Sequence, residues 1–218
     1  MPPRTLPAFV LVVLLIGSGD ARAADPARVE QRDLSAPAER WTYAVSAYYF
    51  AFPHESDYWV GLATANRGDL HLQARYNYEN INAGSIFAGW TFAAGETFSV
   101  SLTPIVGAVF GTTRGVAPGA QVAAAWRSFD FYWEGEYVFD VQNRGNSYFY
   151  AWTELAAKPV EWLRGGFVGQ RTSINQSDRS IQLGGFAQLL FGRTSFGVYL
   201  FNPGSTDWFA ATSLELRF

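Results

Sequence analysis

The segment Leu70-His71-Leu72-Gln73-Ala74-Arg75-Tyr76-Asn77-Tyr78-Glu79 alternates apolar or aromatic residues with polar ones at every step. A period of two belongs to a β-strand, whose successive side chains point to opposite faces, so this stretch has one greasy face and one wet face. The same period returns along the chain. Phe98, Val100 and Leu102 alternate with Ser99, Ser101 and Thr103; Phe131 and Trp133 alternate with Asp130 and Glu134; Leu214, Leu216 and Phe218 alternate with Ser213, Glu215 and Arg217. These runs are separated by Gly, Asn, Asp, Ser or Pro, the residues that favour turns. They predict twelve strands, at residues 41–52, 57–66, 69–79, 83–93, 96–108, 116–127, 130–141, 147–157, 160–172, 179–191, 194–202 and 207–218.

Composition narrows the setting. The 218-residue chain is 49% hydrophobic and 17% aromatic but only 16% charged, well below the roughly 25% charge of soluble domains. A net charge of -3 offers no basic footprint for nucleic acid. The lack of cysteine removes disulfides, thiolate metal sites and cysteine nucleophiles. At the amino end, Arg4, the nine-residue apolar run Ala8 to Ile16 and the small-x-small pattern Ala21-Arg22-Ala23 make residues 1–23 a cleavable signal peptide. A spanning helix needs about twenty apolar residues, and no stretch of the chain reaches that length. Residues 24–40, polar and carrying Pro26 and Pro37, form a flexible tail before the strands begin.

Two architectures share a twelve-strand alternating pattern. A soluble sandwich or lipocalin-like barrel turns its apolar residues inward, whereas a membrane barrel turns them outward around a polar lumen. The connectors favour the second. Asn66 to Asp69, Ala94 to Glu96, Ser128 to Phe129, Lys158 to Pro159 and Gly192 to Arg193 are tight. Pro53 to Ser56, Gly111 to Gly115, Gln142 to Asn146, Ser173 to Asp178 and Asn202 to Thr206 are mostly longer, and Asn80 to Asn82 breaks the rule. Strands of about ten residues, tilted, cover the roughly 25 Å apolar band of a membrane barrel. Trp41, Tyr43, Trp59, Trp90, Trp126, Trp133, Tyr137, Trp162 and Trp208 supply aromatics for its interfaces, mostly near strand ends. The expected fold is therefore an all-β, transmembrane, antiparallel up-and-down barrel over residues 41–218, closed because lipid cannot satisfy an open strand edge.

The signal peptide, the even set of alternating strands and the ending Leu214-Glu215-Leu216-Arg217-Phe218 resemble the outer-membrane β-barrel proteins of Gram-negative bacteria. That resemblance implies location in the outer membrane, short periplasmic turns, longer extracellular loops, and contact with lipid and lipopolysaccharide. It also implies that the face formed by Leu214, Leu216 and Phe218 serves as the recognition signal for the barrel-assembly machinery.

With the apolar faces on lipid, the lumen receives the charged residues. The pore-lining candidates are Arg75, Glu79, Glu134, Glu136, Glu154, Arg164 and Gln188, with Glu134, Glu154 and Arg164 expected at one level. Such a row suits a narrow passive channel for small polar solutes or glycans. The same residues also suit a non-conducting structural or accessory barrel, because Tyr48, Phe87, Tyr132, Tyr148, Tyr150, Trp152, Phe186 and Tyr199 share the inward parity and can fill a lumen of this size. A third reading is a lipid-modifying enzyme using His54 in Pro53-His54-Glu55-Ser56-Asp57, although adjacency in a loop is not catalytic geometry. Two distant histidines support no metal site, and the sequence calls for no cofactor.

Overall fold

The computed structural model describes residues 40–174 and 180–218, with side chains described outside 173–179. The expected signal peptide and almost all of the expected tail, residues 1–39, lie outside the described residues. Strands account for nearly everything else: β1 (Thr42–Ala51), β2 (Tyr58–Arg67), β3 (Leu70–Tyr76), β4 (Ala83–Trp90), β5 (Phe92–Ala94), β6 (Phe98–Gly111), β7 (Gly115–Trp126), β8 (Phe129–Asp140), β9 (Tyr148–Val160), β10 (Leu163–Ile174), β11 (Ser180–Phe191), β12 (Thr194–Phe201) and β13 (Phe209–Arg217). Among the described residues the only helical element is a 3-10 turn at Arg144–Asn146.

Each strand pairs antiparallel with its neighbours, and β4 pairs with β6 to close the sheet into a barrel. Strands β4 and β5 form one stave, since both pair with β6 in a single register, Gly89 to Ile105 and Phe92 to Leu102. That register sets the break opposite Pro104, whose ring leaves no N–H for the ladder. Counted this way the barrel has twelve staves, as the alternation predicts. The seam between the ends is hydrogen-bonded: the Tyr43 N–H donates to the Phe218 carbonyl at 3.3 Å, and the Phe218 N–H donates to the Tyr43 carbonyl at 2.9 Å. The start of β1 and the end of β13 thus lie at one rim, hereafter the terminal rim; the other is the loop rim.

The outer surface is apolar from rim to rim. Val45, Ile86, Val106, Leu155, Phe167, Leu183 and Leu200 point outward and are exposed. Aromatics mark both edges. Trp41, Trp90, Phe98, Trp126, Trp162 and Phe218 crowd the terminal rim, and Trp59, Phe110, Phe139 and Trp208 stand toward the loop rim. Trp133 lies at mid-strand in β8 rather than at an end. Leu214, Leu216 and Phe218 all face outward, on one stripe. This is the architecture of an outer-membrane-type barrel, with an apolar exterior around a polar interior.

Two local expectations fail for identifiable reasons. The predicted third strand continues to residue 79, but β3 stops at Tyr76 because Asn77 adopts a left-handed φ of 58°. The Asn77 side chain holds that turn, donating to the Trp59 carbonyl and accepting from the Asn82 N–H. The alternation therefore breaks, and Tyr78, assigned to the lipid face by parity, enters the lumen. The expected turn at Lys158 to Pro159 also moves. Those residues belong to β9, and the chain reverses at Glu161 and Trp162, with a register shift between Leu163 and Gly165.

Close packing between staves leaves little room at Gly166. A Cβ built there would stand 2.0 Å from the Leu155 carbonyl oxygen of β9. Gly166→Ala is expected to cost about 1–3 kcal/mol by forcing the strands apart. A lowered temperature for conversion between the folded and unfolded gel mobilities, with the same fold at room temperature, is the result to look for.

Candidate functional site in the lumen

Inward-facing residues of β3, its following connection, β8, β9, β10 and β11 bring all seven sequence candidates inside the barrel, where they form two separate clusters instead of one row. In the first, the Arg75 guanidinium donates from Nη1 to Glu136 at 2.8 Å and to Glu79 at 3.4 Å. Its Nη2 lies 2.8 Å from Glu134 and 3.1 Å from the Gln73 side-chain oxygen. The Tyr78 and Phe87 rings sit 4.4 and 4.2 Å from its central carbon, as cation–π partners. Glu134 also accepts from the Tyr78 hydroxyl at 3.0 Å, the Tyr132 hydroxyl at 2.7 Å and the Gln121 amide at 2.9 Å. Ser85 donates to Glu79 at 2.5 Å, and the Tyr148 hydroxyl donates to the Glu79 carbonyl. Glu79 lies in the connection after β3; burial pushes its carboxyl up from the ordinary range, opposed by Arg75 and by the Ser85 hydroxyl.

The second cluster is built on Arg164. Its Nη2 donates to Asp130 at 2.6 Å, with Nε also directed at that carboxylate. Its Nη1 donates to Glu154 at 2.8 Å and to the Gln188 side-chain oxygen at 2.7 Å. Gln188 passes the chain on, donating to the Tyr199 hydroxyl at 2.8 Å, and the Trp152 indole donates to Glu154 at 3.0 Å.

The expectation that Glu134, Glu154 and Arg164 share one level is corrected here. Glu134 stands opposite Trp152, Glu154 stands opposite Tyr132 and Val168, and Glu134 binds Arg75. Arg164 reaches Glu154 only through the length of its side chain, and its other carboxylate partner is Asp130. Two registers cause this: the β8–β9 pairing sets Glu134 two residues away from the partner of Glu154, and the displaced turn at Glu161 and Trp162 slides β10, with Arg164, along β9.

A third set of residues inside the barrel is apolar and was not among the candidates. Phe50, Val60, Phe201 and Phe209 pack with Trp152, Phe186 and Tyr199 in one buried cluster, while Ile105, Val109 and Val138 pack with Phe87 in another. Rings in the first cluster form a column from the loop rim downward. Phe52 stacks on Phe209 at 4.9 Å, Phe209 on Phe201 at 4.5 Å, Phe201 meets Trp152 edge-on at 5.7 Å, and Phe186 lies 4.8 Å from the Arg164 central carbon. Parity carries the signal for these residues: Phe209 and Ala211 fall in step with Ser213, Glu215 and Arg217. Toward the terminal rim the lining becomes smaller and wetter, with Ser46, Thr64, Asn66 and Ser101 half-buried and Arg217 donating to Glu215 at 2.6 Å. His71 is inside as well, its Nδ1 2.7 Å from the Asn66 side-chain oxygen, and His54 lies exposed in the first loop-rim connection.

No family model and no curated protein matches the chain. Among solved structures it is similar to CdiB from Acinetobacter baumannii, at 7% identity and a TM-score of 0.40, over 83% of this chain and 60% of that one. This chain thus spans less than two thirds of the length of that protein.

Proposed function

We propose that this protein is an outer-membrane barrel closed at rest, acting as a non-conducting structural or accessory barrel of the envelope. The observation that carries the reading is the state of its charges. The side chains of Arg75, Glu79, Glu134, Glu136, Glu154 and Arg164 pair with one another at 0–9% exposure. Pore-lining charges must meet water and passing ions, and these meet each other. The apolar exterior would contact lipid and lipopolysaccharide, and the stripe of Leu214, Leu216 and Phe218 would engage the assembly machinery.

Planar-bilayer recording of the refolded mature chain tests this reading. The expected result is no steady conductance at low voltage from a preparation whose heat-shifted gel mobility proves it folded; a steady, ion-selective current would overturn it. The half-buried polar lining at the terminal rim favours a second reading, a narrow channel for small polar solutes that conducts once the clusters part. In that case current would appear in bursts, with selectivity set by Arg75 or Arg164.

A further inference from the structure

Two oxygens in the Arg75 cluster lack any hydrogen-bond partner although they are buried, Oε2 of Glu79 and Oε1 of Glu136. Both side chains are fully enclosed, at 0% exposure. Their remaining oxygens both lie on Nη1 of Arg75, at 3.4 and 2.8 Å, so the two carboxyl groups flank a single nitrogen. Neither has another strong donor beyond the Ser85 hydroxyl on Glu79.

Glu134 is different. It receives Arg75, Tyr78, Tyr132 and Gln121, so both of its oxygens have donors. Arg75 can balance one negative charge, and Glu134 has the better claim on it. The Arg164 cluster serves as an internal control. Asp130 and Glu154 share one guanidinium there, yet neither carboxylate has an orphaned oxygen. Among the described residues the unpartnered buried carboxyl oxygens thus both occur where three carboxyls face one guanidinium, whose own Nε is likewise unpartnered; the other unpartnered oxygens, on Gln170 and Gln182, belong to neutral amides. A buried carboxylate with nothing to accept from is costly, and a proton supplies the missing partner without needing volume.

We propose that the Arg75 cluster is a proton-binding site. At neutral pH the Glu79 and Glu136 pair holds one proton, which keeps the middle of the lumen locked; at alkaline pH the proton passes to bulk base, and two neighbouring carboxylates repel. The other titratable and charged groups that interact with the pair are Arg75 from β3, Tyr78 from the connection after it and Glu134 from β8. Tyr148 and Tyr150 face it from β9. The folded protein then holds more protons than the unfolded chain near neutrality, so stability falls as pH rises. The consequence for the lumen rests on the closed-barrel reading, but the bound proton does not, and the two are measured separately.

Infrared difference spectra of the refolded mature chain in detergent micelles, titrated from about pH 6 to about pH 9, test the proton directly. The expected result is a protonated-carboxyl C=O band that shifts in D2O and vanishes as pH rises. Glu136→Gln or Glu79→Gln should abolish it, and Glu215→Gln at the terminal rim should leave it in place. Over the same range the wild-type unfolding midpoint should fall by about 5 °C or more while the Gln variants stay level. The wild-type titration needs no variant, so a misfolded substitution cannot mask the answer. A missing band, or one that survives both substitutions, would overturn the proposal. Alkaline loss reversed by sodium chloride but not by choline chloride would also overturn it, by making the occupant a metal cation.

Discussion

Arg164→Ala is expected to lower the stability of the barrel by about 3–5 kcal/mol, because removing one partner of a buried ion cluster leaves the others charged and unsolvated. Asp130 and Glu154 would both lose their cation, at side-chain exposures of 8% and 9%. Gln188 would lose the donor that orients it toward Tyr199. Arg164→Lys restores the charge but not the planar fork that meets Asp130, Glu154 and Gln188 together, so its loss should be intermediate. Combining Arg164→Met with Asp130→Leu and Glu154→Met removes all the charges at once and should recover much of the loss, since apolar replacement of a buried cluster is often neutral. The readout is the temperature at which the heat-shifted gel mobility converts. Unchanged stability together with a changed reversal potential would mean that Arg164 lines a water-filled pore, and the closed reading would fail.

The barrel itself was legible because alternation is a binary signal that tolerates boundary errors. A strand such as Leu70 to Tyr76 reports its two faces whichever residue begins it, and twelve such segments pair in antiparallel order into one closed barrel. The lumen was less legible for three physical reasons. Asn77 takes a left-handed backbone that no parity rule anticipates, and this swings Tyr78 and Glu79 over Arg75. Pairing levels depend on turn position, and a turn moved from residues 158–159 to 161–162 slides Arg164 along β9 to meet Asp130, while the partnership of Glu134 with Arg75 spans strands far apart in the chain that no hairpin register reports. Finally, equating apolar with lipid-facing hides Phe50, Phe201 and Phe209. Their inward placement follows from position in the alternation, and hydropathy alone says the opposite. Those rings pack in one buried cluster with Trp152, Phe186 and Tyr199.

Leu155→Arg should separate a membrane barrel from a soluble one with little ambiguity. Leu155 lies near the middle of β9, pairs with Phe131 on one side and Phe167 on the other, and is 53% exposed on the outer surface. If that surface meets lipid, a guanidinium at this height should cost about 2–4 kcal/mol, whereas near an interface the same charge costs about 0–1 kcal/mol. Val141→Arg provides the comparison, since Val141 is also exposed but follows β8 at the loop rim. Folding into lipid vesicles, followed by tryptophan fluorescence across a urea series, should therefore show Leu155→Arg strongly destabilised and Val141→Arg close to wild type. In a soluble barrel both changes would fall within about 0.5 kcal/mol, as surface substitutions do. Equal behaviour of the two variants would remove the membrane from the account. A depth-dependent cost would assign the exposed aromatics at the two rims to the two interfaces of the bilayer.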